Sequence, residues 1–208
     1  MKNVVFDVGG VLVSLRYGPF VQYLSAAGAD MSDLARWADR SGLERHERGE
    51  ISGDEFLEGI IAAADVWLDR GELRMRWLDM FEQAHEMCDL ARALMTGHRV
   101  YLLSNVGDLH WAHLDERFGI AGLVHGAMPS FKVGAIKPHE SIYRAAEARF
   151  GLDPASTVFI DDLAANVEGA RRRGWSAIQH RNAAETRAAL EQLGVHVPAG
   201  AGRPLGGR

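Results

Sequence analysis

Polar side chains stand directly after short apolar runs at three places in the chain: at Asp7, at Ser104-Asn105 and at Asp161-Asp162. Each run is rich in β-branched or aromatic residues, which indicates a buried strand. In an open parallel sheet the carboxyl ends of the strands form the crevice where ligands bind, so these side chains are expected to converge. Carboxylates brought together without a cation repel one another, and an all-oxygen site suits Mg²⁺. The sequence therefore predicts a magnesium site.

The elements that must position these side chains alternate between strand-like and helix-like segments. A fourth, weaker strand-like run is Ser176-Ala177-Ile178. Helical patterns occupy about 108–118, 138–150 and 164–173. Such alternation predicts an α/β fold in which a mostly parallel sheet forms a Rossmann-like, three-layer core.

The stretch from about 15 to 90 breaks this alternation. Apolar residues recur there at helical spacing, as at 34–38 and 77–81, and no strand is convincing. Ser52 is followed three positions later by Glu55, the pattern of a capping box that opens a helix. The stretch is therefore interpreted as an all-helical insertion.

These patterns divide the chain into a core, a cap and a tail. The core is predicted to comprise residues 1–14 and 90–197, and the helical cap residues 15–89. Residues 198–208 are rich in Gly, Ala and Pro and are expected to be disordered.

Composition and charge exclude several function classes. The 208 residues carry a net charge of −5, whereas a nucleic-acid-binding domain usually has a basic surplus. The single cysteine, Cys88, cannot form an internal disulfide or a Cys-based zinc cluster, and is expected to be a small buried side chain. Asp7 interrupts the N-terminal apolar run, and no run reaches the ~18 apolar residues of a membrane span. We expect a cytoplasmic protein that binds neither nucleic acid nor membrane.

Four segments resemble the signature motifs of the haloacid dehalogenase-like superfamily. They stand in the expected order and are Phe-Asp-Val-Gly-Gly-Val-Leu at 6–12, Leu-Leu-Ser-Asn at 102–105, Lys137 within 133–138, and Phe-Ile-Asp-Asp at 159–162 followed by Asn166. The resemblance covers essentially residues 3–180. The Asp-x-Gly-Gly-Val start and the Asp-Asp-x-x-x-Asn ending most resemble the branch that holds glucose-1-phosphate phosphatase and the phosphatase domain of soluble epoxide hydrolase.

The resemblance implies a Mg²⁺-dependent phosphatase acting on a small phosphomonoester, for example a sugar phosphate. Asp7 would attack phosphorus through one carboxylate oxygen and form an aspartyl-phosphate. Ser104 and the backbone or side chain of Asn105 would hydrogen-bond the phosphoryl oxygens, and Lys137 would supply a fixed positive charge. Taken singly, each of these residues also fits an ordinary cap, turn or solvated lysine; together and in order they do not.

The implied metal ligands are Asp7, the backbone carbonyl of Gly9 and Asp162. Asp161 would lie behind them or reach the metal through water. Asn166 would support the same site from the first turn of its helix.

Gly9 departs from the family pattern, because most phosphatases of this superfamily carry a second aspartate there. The backbone carbonyl of Gly9 is kept, but the side chain that protonates the leaving group and later activates water is lost. General acid–base catalysis by such a side chain is worth about 10²–10⁴ in rate. Three explanations stay open. The leaving group needs little protonation; another residue substitutes, with His110 as first candidate; or the protein is a phosphate-binding or interaction module.

Substrate specificity is expected to reside in the cap, at 14–20 and 44–53. Five side chains there are candidates to contact the substrate, although exposed helical charges are more often simply solvated: Arg16, Tyr17, Arg45, His46 and Arg48. Three tryptophans are expected to belong to the core of the cap: Trp37, Trp67 and Trp77.

A second enzymatic hypothesis is hydrolytic dehalogenation of a 2-haloacid, which uses the same nucleophile. The Asp161-Asp162 pair argues against it, because halide displacement needs no metal ligands. The expected partner is a small phosphorylated metabolite, and the expected assembly is a monomer or weak homodimer.

Overall fold

The computed structural model describes residues 1–199 and is built around a five-stranded parallel sheet. The sheet has the order β5-β4-β1-β6-β7. Its strands are β1 Asn3–Phe6, β4 Arg99–Ser104, β5 Gly126–Pro129, β6 Thr157–Asp161 and β7 Ser176–Gln179. Most of the predicted tail, from residue 200 on, lies outside the described residues.

Helices connect the strands and cover both faces of the sheet. Those of residues 1–199 are α1 Tyr17–Ala26, α2 Leu34–Ser41, α3 Leu43–Glu47, α4 Gly53–Ala64, α5 Arg70–Leu78, α6 His85–Leu94, α7 Asp108–Phe118, α8 Glu140–Phe150, α9 Ala164–Arg172 and α10 Ala183–Gln192. None of these helices combines the length and the apolar character that a membrane crossing requires.

Alternating side chains of the central strands enter two separate cores. In β1, Val4 and Phe6 pack with buried residues of α6 and α10, whereas Val5 packs with α8 and α9. Burial of one such side chain contributes about 1.5–3 kcal/mol. The predicted three-layer α/β core is confirmed, and Cys88 is buried in α6 as expected.

β5 was not predicted from the sequence. Its residues, Gly-Ala-Met-Pro, include no β-branched or aromatic side chain, so no strand signal is present. The strand forms because Leu102 and Leu103 of β4 pair with Ala127 and Met128. A proline at its end is tolerated because β5 is an edge strand.

A helical insertion, α1 to α5, leaves the sheet and returns to it through a two-stranded antiparallel ribbon. The ribbon pairs β2, Val13–Leu15, with β3, Phe81–Gln83. Just beyond it, the backbone N–H of Arg16 donates to the carbonyl of Met80 at 2.7 Å. The prediction that this stretch contains no strand is therefore wrong at β3, because three residues are too few to show an alternating pattern.

Aromatic rings fill the interior of the helical insertion. Phe20 of α1 lies edge-on to Trp37 at 5.8 Å and to Trp77 at 5.1 Å between ring centroids. Trp37 and Trp77 are buried as predicted, but Trp67 is 84% exposed, so its assignment to the core was wrong. Trp67 lies in the connection between α4 and α5, where no second element covers it.

The capping box predicted for α4 is confirmed. The Ser52 hydroxyl accepts a hydrogen bond from the Glu55 N–H at 3.2 Å, and the Glu55 carboxylate accepts one from the Ser52 N–H at 2.8 Å. Two backbone donors at the helix start are thereby satisfied.

Candidate active site

Three carboxylates meet at the carboxyl edge of the sheet, as the sequence predicted. In the pairing of β1 with β6, Phe6 lies opposite Ile160, and the N–H of Asp7 donates to the Ile160 carbonyl at 2.8 Å. Each of the three residues offers an oxygen, and these oxygens lie within 4.8 Å of one another: Asp7, Asp161 and Asp162.

Lys137 joins two of these carboxylates. Its Nζ lies 2.8 Å from Oδ1 of Asp7 and 2.6 Å from Oδ2 of Asp161. The lysine is only 2% exposed. Burial alone would lower its pKa, but the two carboxylates raise the pKa above the ordinary lysine value, so the ammonium stays charged.

The side chain of Asn105 holds the backbone of Lys137. Its Nδ2 donates to the Lys137 carbonyl at 2.9 Å, and its Oδ1 accepts from the Lys137 N–H at 2.8 Å. The amide is thereby used for positioning, which does not support the prediction that this side chain binds phosphate. Ser104 is buried at the end of β4, beside the strand that carries Asp7.

Asp161 is enclosed by donors. Besides Lys137, it accepts hydrogen bonds from Nδ2 of Asn166 at 3.0 and 3.1 Å and from the N–H of Leu163 at 2.9 Å. Its side chain has no exposed surface. Asn166 thus acts on Asp161, and Asp7 and Asp162 are the carboxylates free to face a ligand.

Of the two glycines in the first motif, Gly10 approaches Asp162 closely and Gly9 approaches Leu15. Gly10 has a φ of +74°, and a Cβ at this position would collide with the Asp162 carboxylate. At Gly9 a Cβ would lie 3.2 Å from Cδ1 of Leu15. The role of the Gly9 carbonyl as a metal ligand stays a prediction.

The cluster sets three carboxyl groups, those of Asp7, Asp161 and Asp162, against a single ammonium, that of Lys137. A bound cation would offset the surplus of acidic groups. Burial raises the pKa of Asp7 above its ordinary value; Lys137 lowers it and Asp161 raises it further. Burial and Asp161 also raise the pKa of Asp162. Hard carboxylate oxygens with surplus negative charge fit Mg²⁺.

His110 does not join this cluster. Its ring stacks on Trp77 with centroids 4.5 Å apart, and its Nε2 lies 3.0 Å from the Trp77 carbonyl. Burial lowers its pKa to about 3, so the ring is neutral at pH 7. These contacts argue against the hypothesis that His110 replaces the missing acid.

The charged residues that were candidates for substrate contact lie mostly on the surface. Arg16 pairs with Glu82, Arg45 with Glu50 and Arg48 with Glu44. These pairs match the alternative expectation of solvated helical charges.

His46 and Tyr17, the two remaining candidates for substrate contact, differ in burial. The ring of His46 is buried and stacks on Phe56 at 4.5 Å. Tyr17 is 52% exposed, and its pKa is raised by partial burial and by the charges of Glu47 and Asp162.

Glu47 was missed by the sequence argument, although it lies within the stretch 44–53 that was expected to face the pocket. It is the last residue of α3 and is half-buried. Burial raises the pKa of its carboxyl to about 7, while the charge of Lys137 opposes that rise. Because Gly9 lacks an acidic side chain, the sequence already indicated that another acid should be sought, and the stretch 44–53 was a place to look for it.

The α/β fold and the carboxylate–lysine cluster at the carboxyl edge of its sheet define a hydrolase of the kind that works with a magnesium ion. The chain belongs to the haloacid dehalogenase-like hydrolase family, whose model matches residues 1–174. This confirms the family resemblance found in the sequence.

Similar proteins include phosphatases of nearly equal length. A D-ribitol-5-phosphate phosphatase of Bacteroides thetaiotaomicron is 28% identical over 200 residues, which cover 91% of this chain and 97% of that protein. A sesquiterpene phosphatase of Aspergillus oryzae is 25% identical over 196 residues, covering 92% and 96%.

A solved structure extends the similarity to three dimensions. It is a haloacid dehalogenase family enzyme from Bacteroides thetaiotaomicron in complex with magnesium and inorganic phosphate. The TM-score is 0.78 with 26% identity, over 87% of this chain and 94% of that one.

Proposed function

We propose that this protein is a Mg²⁺-dependent phosphatase that hydrolyses a small phosphomonoester through an aspartyl-phosphate on Asp7. The observation that carries the proposal is the contact of a buried Asp7 carboxylate with the Lys137 ammonium at 2.8 Å, beside a second free carboxylate at Asp162. The phosphatases among the similar proteins support the same activity.

The magnesium ion would be held by Asp7, Asp162 and the carbonyl of Gly9. When bound, it would neutralise negative charge on the phosphate so that an anionic nucleophile can approach.

The side chains of this chain would carry the steps. One oxygen of Asp7 attacks phosphorus, and the bond to the leaving oxygen breaks. Lys137, held by Asp161 and Asn105, offers its positive charge to the transferring phosphoryl group. Ser104 and backbone N–H groups beside it bind phosphoryl oxygens.

The helical insertion would close over the phosphate as a cap and exclude water, which strengthens the charge interactions inside. Residues 15–89 are proposed to form this cap, and residues 1–14 with 90–197 the catalytic core. A reaction on phosphorylated metabolites and a lone, buried Cys88 fit an enzyme of the cytoplasm.

Sugar or polyol phosphates are the first substrate class, supported by the similarity to the ribitol-phosphate enzyme. A second class, phosphomonoesters with an apolar group, is favoured by a cavity of about 230 Å³ in the helical insertion. It is lined largely by apolar side chains, including Tyr17, Phe20, Met31, Leu34 and Trp37.

The test is turnover of a panel of polyol, sugar and prenyl phosphates by the wild type and Asp7→Asn, with and without Mg²⁺. We expect Mg²⁺-dependent phosphate release that Asp7→Asn abolishes, because the amide is not a nucleophile. The matched control is Asp89→Asn, which removes an exposed carboxylate paired with Arg92 and should keep full activity.

Equal hydrolysis by wild type and Asp7→Asn would overturn the mechanism. Halide release from 2-haloacids without metal would instead support a dehalogenase. Phosphate binding without turnover of any panel member would support a binding module.

A further inference from the structure

We propose that Glu47 of α3 is the general acid and base of this active site and takes the role for which Gly9 has no side chain. The inference rests on the proposed phosphatase function and adds a catalytic residue to it.

A hydrogen-bond relay fixes the end of α3 to the active-site loops. The Ser130 hydroxyl, fully buried, donates to the carbonyl of Glu47 at 2.5 Å and accepts from the N–H of Val106 at 2.9 Å. Val106 follows Ser104 and Asn105 at the carboxyl end of β4. Glu47 is thereby anchored beside the loop that is proposed to bind phosphate.

The chain just after Glu47 makes the same close approach. Gly49 has a φ of +69°, and a Cβ there would collide with the carbonyl oxygen of Phe131. The hydrogen bond at Glu47 and the close approach at Gly49 therefore place this turn against the 3₁₀ turn Ser130–Lys132. The backbone position of Glu47 is set by the fold.

The Glu47 carboxyl lies within reach of the charge of Lys137. The groups that act on it are Lys137 across the site and Glu44 on its own helix, and Tyr17 of α1 in turn feels its charge. Lys137 is the lysine that contacts Asp7. Burial outweighs the lysine and leaves the Glu47 pKa at about 7, the range in which one carboxyl can both donate and accept a proton.

Other acids near the site are committed elsewhere. Asp161 is enclosed by Lys137 and Asn166, and Asp162 is a proposed metal ligand. His110 is neutral and donates to Trp77.

Over one catalytic cycle Glu47 gives up one proton and regains one. As Asp7 forms its bond to phosphorus, the bond to the leaving oxygen breaks, and the Glu47 carboxyl gives that oxygen its proton. The Glu47 carboxylate then takes a proton from the water that attacks the aspartyl-phosphate. The bond between phosphorus and Asp7 breaks, phosphate leaves, and both carboxyl groups return to their initial state.

The test compares Glu47→Gln with wild type on phosphate esters of similar size whose leaving groups range from electron-poor phenols to simple alcohols. The parameter is kcat/KM, which reports the step that releases the alcohol. An electron-poor phenolate leaves without protonation, so its kcat/KM should change less than about threefold, whereas alkyl phosphates should lose about 10²-fold or more.

The matched control is Glu58→Gln on α4, whose side chain is 60% exposed and paired with Arg70. It should leave the whole series unchanged. Thermal unfolding of both variants checks that they are folded.

A second measurement needs no variant. In wild type, kcat/KM for alkyl phosphates should fall as the pH rises through the Glu47 pKa of about 7, because the acid is lost. The electron-poor aryl phosphates should lack that fall. The comparison cancels the titration of the metal site, which both substrates share.

The outcomes separate the two proposals. If no ester in the series is hydrolysed with Mg²⁺, the proposed function fails. If the esters are hydrolysed but Glu47→Gln lowers all of them by one common factor, or none of them, Glu47 is not the acid. A flat wild-type pH profile for alkyl phosphates would likewise overturn the role of Glu47.

Discussion

The residues of the site depend on one another through charge. Lys137 is buried between two carboxylates, and Asn105 and Asn166 fix the backbone of the lysine and the carboxylate of Asp161. Removing one partner of a buried pair leaves an uncompensated charge, which is strongly destabilising. Substitutions of Lys137 leave two carboxylates without their ammonium and therefore report stability as well as catalysis. Asp7→Asn leaves Lys137 paired with Asp161, so it is the cleaner test of mechanism.

Gly10→Ala should damage the metal site. A left-handed φ costs a non-glycine residue about 1–3 kcal/mol, and the added methyl group would displace the Asp162 carboxylate. We expect weaker Mg²⁺ binding in a calorimetric titration, by about tenfold for each 1.4 kcal/mol. Gly97→Ala is the control, because a Cβ at Gly97 meets no atom within 4 Å. Unchanged Mg²⁺ affinity in Gly10→Ala would show that Asp162 is not held by this contact.

Sequence predicted the residues that converge but not how each is used. Asp7, Asp161 and Asp162 follow strand ends, and strand ends share one edge, so their meeting could be derived. The hydrogen bonds of Asn105 to the Lys137 backbone join residues 32 positions apart, which no local pattern encodes. Glu47 was not identified for the same reason, since its partner Ser130 lies 83 positions away.

At the scale of elements, α4 depends on its capping box. Ser52→Ala should lower the free energy of unfolding by about 1 kcal/mol, or about 2–4 °C in melting temperature for a chain of this size. Ser25→Ala is the control, because Ser25 is an exposed serine in the last turn of α1 and not at its N-cap. A Ser52→Ala protein that melts with the wild type would show that the box contributes nothing.

Long elements with strong periodicity were predicted well, and short ones were not. The bounds of α7 match the predicted 108–118, and those of α9 differ from the prediction by one residue. β3 and β5 have three and four residues and owe their conformation to pairing with β2 and β4. Such strands are dictated by partners that are distant in sequence, so local patterns miss them.

At the scale of the whole molecule, Mg²⁺ should stabilise the folded state. A ligand that binds only this state at 100 times its Kd adds about 2.7 kcal/mol, or about 5–10 °C in melting temperature. Asp162→Asn should lose this shift in melting temperature. Without metal, the variant should melt no lower than metal-free wild type, because the substitution removes a charge that repels the neighbouring carboxylates. Asp89→Asn should keep the shift. An equal Mg²⁺ shift in Asp162→Asn would remove Asp162 from the ligand set.

The ribbon of β2 and β3 also bears on the history of the chain. The helical insertion begins after Leu15 and ends before Phe81, and these two residues are paired neighbours in the ribbon. The segment between these residues, α1 to α5, is thus one continuous insertion whose two ends lie side by side. Genetic insertions, deletions or exchanges within it can therefore alter these helices, while the order and register of the five parallel strands and the cluster at their edge stay in place.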